Sequence, residues 1–314
     1  MEELFSDRDC LEEMLFTPIH RIVLGLNSTP LEQELLRCPS SVNSVDAKGR
    51  TPLSWAAQRG MVDTVKTLLR YGADPNIYSL QGHSPLHYAA EARDPSCLQP
   101  LLDYGADVNQ SDIDGQTAIH YAAQHRSNVA YFRPLIEANC NPNKPTQWDM
   151  TPLNVMIVRG FAESLPYLLD NGADMNLKAQ DQAPPVFWAV QYNNIRALSI
   201  LQERGADLTA SSTKFPTIAH VAAHHANVET LRLLTSFRLR LSDMDCVDSD
   251  GFTIPDILHK RLQNGLEDEQ AIVEAFRAFL GSIDSDQAAQ VDDVKEEDEF
   301  HDALESINEP ISSS

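Results

Sequence analysis

His220 and His224 stand four residues apart, so on a helix they share one face, the arrangement that can present two metal ligands together. A zinc site would need further ligands nearby, and a repeat pattern described below claims His220 for another role. The search for nucleophiles and phosphate cradles ends empty: the chain has no GxSxG, GxxxxGK or HExxH, no kinase motif set and no Gly-rich strand-to-helix loop. Carboxylates are plentiful, yet those of the turns and the C-terminal tail are expected to be solvated and unshifted, without the perturbation that acid–base work requires. The expectation is a protein with no catalytic residues, no cofactor and no metal.

The charge balance narrows the partners. Of a formal −22, residues 284–314 contribute eleven Asp or Glu and one Lys, which is −10 and leaves −12 for all that precedes them. That sign argues against nucleic-acid phosphate or an anionic membrane as the main partner. Cys10, Cys38, Cys97, Cys140 and Cys246 are odd in number and scattered without a CxxC pair, unlike a disulfide framework, which implies a reducing compartment. The first residues, MEELFSDRDC, are acidic where a signal peptide needs positive charge, and no apolar run approaches the ~18 residues of a membrane span. A cytoplasmic or nuclear monomer is expected.

The elements that would position any site come from a repeated stretch. In Asp46 to Ile77, DAKGRTPLSWAAQRGMVDTVKTLLRYGADPNI, residues 46–49 read as a turn and Thr51-Pro52 opens a short helix. A second helix over 61–71 carries Val62, Val65, Leu68 and Leu69 on one face and stops at Gly72. The unit recurs as GHSPLHYAA with LLDYGADVN, GQTAIHYAA with LIEANCNPN, MTPLNVMIV with LLDNGADMN, and APPVFWAV with LQERGADL. Its Thr register falls at Thr51, Ser84, Thr117, Thr151, Pro184 and Thr217, steps of about 33 residues.

This period and the TPLHxA pattern resemble the ankyrin-repeat family, with degenerate copies at TPIHRIVLGL from Thr17 and FTIPDILHK from Phe252. The resemblance implies an all-α solenoid of helix-turn-helix units with hairpin-like turns, about seven to eight units long, whose neighbours bury one another's apolar faces. It divides the chain into a capping helix (1–16), a repeat array (17–241), a degenerate C-terminal capping unit (242–281) and an acidic tail (282–314), disordered in isolation. Within the tail, Phe300, Leu304 and Ile307 recur at helical spacing, able to fold on a partner. The tail as a whole has three readings: a solubilising end, an interaction tail for a basic protein surface, or a segment lying across the array near Arg232, Arg238 and Arg240, or over Lys48, Arg50 and Arg59, where it competes with a ligand.

The family's function implies protein binding through a concave groove, as adaptor, scaffold or inhibitor, with a tail-borne activity as the alternative. His87 and His120 are then structural, as are Asn76, Asn109, Asn143 and Asn176, because every repeat needs the same backbone bonds. The ring stripe Trp55, Tyr88, Tyr121 and Trp188 is expected to pack between first helices with partial exposure. Hairpin tips and first-helix ends are the contact candidates: Lys48, Arg50, Arg59, His83, Ile113, Gln116, His125, Trp148, Met150, Arg159, Gln180, Tyr192, His224 and His225. Trp148 leads, since an exposed Trp has no stabilising reason to sit at a hairpin tip.

Overall fold

The computed structural model describes residues 15–125, 128–237, 239, 246–263 and 269–283, and all regular structure in them is helical. The expected capping helix over 1–16 lies outside the described residues except for Leu15 and Phe16, and the acidic tail lies outside them beyond residue 283. The chain divides into two compact units, Met1–Ala173 and Asp174–Ser314.

The first unit holds five helix pairs: α1 (Pro18–Val23) with α2 (Leu31–Arg37), α3 (Pro52–Gln58) with α4 (Val62–Arg70), α5 (Pro85–Glu91) with α6 (Leu98–Asp103), α7 (Ala118–His125) with α8 (Val129–Glu137), and α9 (Pro152–Arg159) with α10 (Leu165–Asp170). The second unit holds three: α11 (Pro185–Gln191) with α12 (Ile195–Glu203), α13 (Ile218–His225) with α14 (Val228–Ser236), and α15 (Ile254–Leu262) with α16 (Glu269–Leu280). We number the pairs repeats one to eight.

Local sequence explains the punctuation. Proline at the first helical position costs no hydrogen bond there, and Pro18, Pro52, Pro85, Pro152 and Pro185 all occupy it. Thr51 and Thr151 accept the backbone N–H three residues on, capping α3 and α9. At the other end α4 closes with left-handed Gly72, and the Ala73 N–H reaches back to the Leu68 carbonyl.

Packing follows from helix faces too small to bury alone. First helices pack in series, α1 on α3 and onward to α9 in the first unit, and α11 on α13 on α15 in the second. Second helices form the other layer of each unit. Leu53, Ala56, Ala57, Leu86, Ala89, Ala90, Ile119, Ala122 and Ala123 are fully or almost fully buried in the first layer, and Leu68, Leu98, Phe132 and Leu135 in the second. Small residues on the first helices let these helices approach closely, and larger ones fill the space behind them.

Candidate functional site

Between repeats the chain makes a six-residue hairpin. In the first unit these run 46–51, 79–84, 112–117 and 146–151, each closed by a bond from its first N–H to its fifth carbonyl, as from Asp46 to Arg50 at 2.9 Å. Neighbouring hairpins are joined in turn: Leu80 N–H to the Lys48 carbonyl (2.9 Å), Ile113 to Gln81 (3.2 Å), Gln147 to Asp114 (2.9 Å). The fourth position is left-handed throughout. At Gly82 (φ 81°) a Cβ would sit 2.8 Å from Asp112 Cα, so glycine is required both for its angle and for the approach of the next hairpin. The result is a backbone-bonded row whose tips carry exposed apolar side chains: Leu80 is 77% exposed, Ile113 67% and Trp148 51%.

Behind the tips, buried aspartates hold the rings of the first helices. Asp46 accepts the Trp55 indole N–H (3.0 Å), the Arg50 Nε–H (3.0 Å) and the N–H groups of Lys48 and Arg50, and the Arg50 guanidinium lies 3.8 Å over the Trp55 ring. Asp112 accepts the Tyr121 O–H at 2.7 Å and the N–H groups of Asp114 and Gln116. His83 Nε2 is 2.9 Å from the Tyr121 oxygen and 3.4 Å from Asp112 Oδ2. Burial pushes the Asp112 pKa up, but the hydrogen bonds from His83, Tyr121 and the backbone outweigh it and bring it down to about 2. The Tyr121 hydroxyl is driven the other way, by burial and then by Asp112. A phenol held protonated beside a fixed carboxylate is a structural latch, with no nucleophile in it.

The repeat histidines bridge repeats. His87 Nδ1 accepts from the Ser84 N–H (3.1 Å) and hydroxyl (2.9 Å), which leaves Nε2–H to donate to the Gln116 carbonyl of the following hairpin (3.1 Å). His20 reaches Arg50 (3.0 Å), His120 reaches Met150 (3.3 Å), and in the second unit His220 reaches Cys246 (3.0 Å). Burial lowers all four pKa values, to about 4 for His87 and His120, so each stays the neutral tautomer this geometry needs. On the far side an asparagine ladder does the same work. Asn76 donates to the Gly105 carbonyl (3.0 Å) and accepts the Asp107 N–H (2.8 Å), as Asn43 does with Gly72 and Asp74. The sequence reading assigned His87, His120 and Asn76 to structure and passed over His20 and Asn43, which lie in the atypical first repeat.

The contact candidates divide by what already holds them. Lys48, Arg59, Ile113, Trp148 and Arg159 are exposed in the first unit, with Arg59 3.5 Å from the Val23 carbonyl. Arg50 and His83 are half-buried and tied to Asp46 and to Tyr121, while Gln116 accepts from Gln124 Nε2, and Met150 is half-buried. In the second unit Tyr192 is exposed and stacks on Trp188 at 6.2 Å, and His224 Nε2–H donates to Asp248 at 3.0 Å. His225 Nε2 is buried with no partner among the described residues; burial and then the His224 charge bring its pKa down to about 4. The side chains of His125 and Gln180 lie outside the described residues. Leu80 escaped the sequence reading although it occupies the register of Ile113, which was the signal that could have found it.

The metal reading of His220 and His224 is accounted for by other bonds. His220 spends both ring nitrogens on Thr217 and Cys246, His224 turns to Asp248, and no group of three or more potential ligands occurs among the described residues. Burial pushes the Cys97 and Cys140 thiols up to about 11 and 12, which keeps them unreactive near neutral pH.

This architecture, paired helices with His-bridged hairpins at a period near 33, is that of a helical repeat protein. The family pattern described as "Ankyrin repeats (3 copies)" matches residues 19–112, 97–179 and 119–212, more than half of the chain. The chain belongs to the ankyrin-repeat family. It is similar to a putative ankyrin repeat protein of Borreliella burgdorferi, 25% identical over 109 residues, a match covering 35% of this chain and only half of that relative's length. Among solved structures it resembles the human ASB11 ankyrin repeat domain, with 25% identity and a TM-score of 0.61, over 72% of this chain and 98% of that domain. Ankyrin-repeat domains in general bind proteins and are typically non-enzymatic, and no described helix is long and apolar enough to cross a membrane.

Proposed function

We propose that this chain is a non-catalytic binding module, an adaptor, scaffold or inhibitor, that docks a protein partner on the hairpin and first-helix face of its first unit. It works as a monomer in the cytosol or nucleus, a compartment consistent with the free thiols of Cys38, Cys97, Cys140 and Cys246. The observation that carries the reading is the row of exposed apolar tips, Leu80, Ile113 and Trp148, on hairpins that backbone bonds hold in fixed register. Exposed large apolar side chains add nothing to folding, and on a preorganised support they cost little entropy when a partner covers them. Lys48, Arg59 and Arg159 supply the polar surround.

The test is affinity capture from native cells with the full chain, with Trp148→Ala, with Ile113→Asp, and with a chain ending at Ser282. A partner lost to both tip substitutions at unchanged thermal midpoint, and kept by the truncation, supports the hairpin face. An equal loss of stability in Trp148→Ala makes that ring packing. A partner lost only on truncation transfers the function to the acidic tail.

A further inference from the structure

The last helix of the second unit, α16, leaves one side uncovered among the described residues. Between it and α14 runs an open groove of about 290 Å³, lined by Arg232 and Thr235 of α14 and by Ala271, Glu274, Ala275 and Ala278 of α16. Thr235 spends its hydroxyl on the Leu231 carbonyl (2.8 Å), so the groove asks for an apolar filling between one cation and one anion at its rim. A terminal repeat with an open apolar side needs a covering layer.

The chain's own C-terminal segment has the matching chemistry, and we propose that residues 296–311 dock in this groove. Phe300, Leu304 and Ile307 follow one another at i, i+4 and i+7, one face of a helix. Ala271, Ala275 and Ala278 take the same i, i+4, i+7 spacing on α16, so a helix laid along the groove sets large side chains over small ones. Charge fits as well. The acidic run Glu296 to Glu299 meets Arg232, and Lys295, the one lysine of residues 284–314, is available to Glu274.

Reach is no obstacle. The described chain leaves α16 at Leu280 and ends at Ile283, and the sixteen residues from there to Phe300 span up to roughly 55 Å when extended. Tethering supplies the rest, because a covalent link sets an effective concentration of up to about 1 mM, which fills even a site of about 100 μM affinity roughly tenfold over empty. The segment is then the closing layer of repeat eight, and a competitor for the groove would release an acidic, apolar-faced segment to other partners.

The experiment is site-resolved amide hydrogen exchange over residues 298–309 of the full chain, at two protein concentrations. Its comparisons are Leu304→Asp in the segment and Ala278→Arg and Arg232→Glu in the groove. The expected result is exchange in the wild type about tenfold slower than in Leu304→Asp. Ala278→Arg should reach the Leu304→Asp rate, Arg232→Glu should fall between, and Leu304→Asp and Ala278→Arg, which empty the same groove, should lower the thermal midpoint of the repeats equally. Wild-type exchange at the intrinsic rate overturns the proposal, and so does protection that survives Ala278→Arg. Protection that rises with protein concentration assigns the contact to a second copy and overturns it equally.

Discussion

Set side by side, the two units use one plan with different fastenings. In the first, His20, His87 and His120 each bridge to the next hairpin, and Asp46 and Asp112 each hold a ring of the first helix. In the second, repeat six has Phe187 at the histidine register and Ala179 at the aspartate register. Trp188, equivalent to Trp55, accordingly has a buried indole N–H with no partner among the described residues, and Gln182 takes the left-handed position (φ 57°) that glycine holds at 49, 82 and 115. Repeat seven recovers the histidine bridge through His220, and Asp248 of the last hairpin takes His224 of repeat seven. The first unit has gaps of its own, Ser54 and Asn154 at the histidine register, and the Asn154 amide is buried with no partner among the described residues. The same helices can thus stack with few polar ties.

The largest expected break in this contrast is His120→Ala. Losing a fully buried imidazole strands the Met150 carbonyl and the Thr117 donors and opens a cavity, which costs about 2–4 kcal/mol. Hydrogen exchange should speed up across repeats four and five, while Phe187→Ala in repeat six breaks no hydrogen bond of this kind and acts through lost packing alone. Exchange in repeats four and five left unchanged would remove the bridge from the account.

Acid should act next. Burial holds His87 and His120 at about 4 in the folded chain against about 6.5 unfolded, so the unfolded chain binds protons first. Their contribution is complete above pH ~6.5 and declines as pH falls towards 4, by on the order of 2 kcal/mol each before the folded form also titrates. Thermal midpoints measured from pH 7.5 to 4.5 should fall, and His120→Gln should flatten the fall.

The smallest effect sharpens the comparison in the other direction. Ala179→Asp places an acceptor where Asp46 meets Trp55, and should stabilise repeat six by about 1 kcal/mol if the carboxylate reaches the Trp188 indole. Asp46→Ala, its mirror, should cost more, because Trp55, Arg50 and two backbone N–H groups lose one shared partner. Equal and opposite shifts would mean that the network around Asp46 adds nothing beyond the single indole bond.

Much of this was legible in the residues themselves. The period of the Thr-register starts and the Gly-type stops located α3 to α13, because local rules such as proline at a first helical turn and glycine at a left-handed stop act within a few residues. The structural role of His87 and Asn76 was readable from recurrence, since the same residue returns at the same register wherever one repeat must satisfy the backbone of the next. His20 and Asn43 make the same inter-repeat bonds but lie in the atypical first repeat, where the pattern is weakest, and the exposure of Leu80 is set by packing.

The sequence alone therefore determined the helix pairs, their period, the class of protein and the absence of any recognisable catalytic motif. Tertiary structure decided which side chains were left over for contact. Arg50 and His83 look as available as Lys48 in the sequence, yet one is stacked on Trp55 and the other is bonded to Tyr121, while Leu80, Ile113 and Trp148 remain in water. Exposure is what remains after every other contact has been made, so it is a property of the packed repeats and not of any one of them.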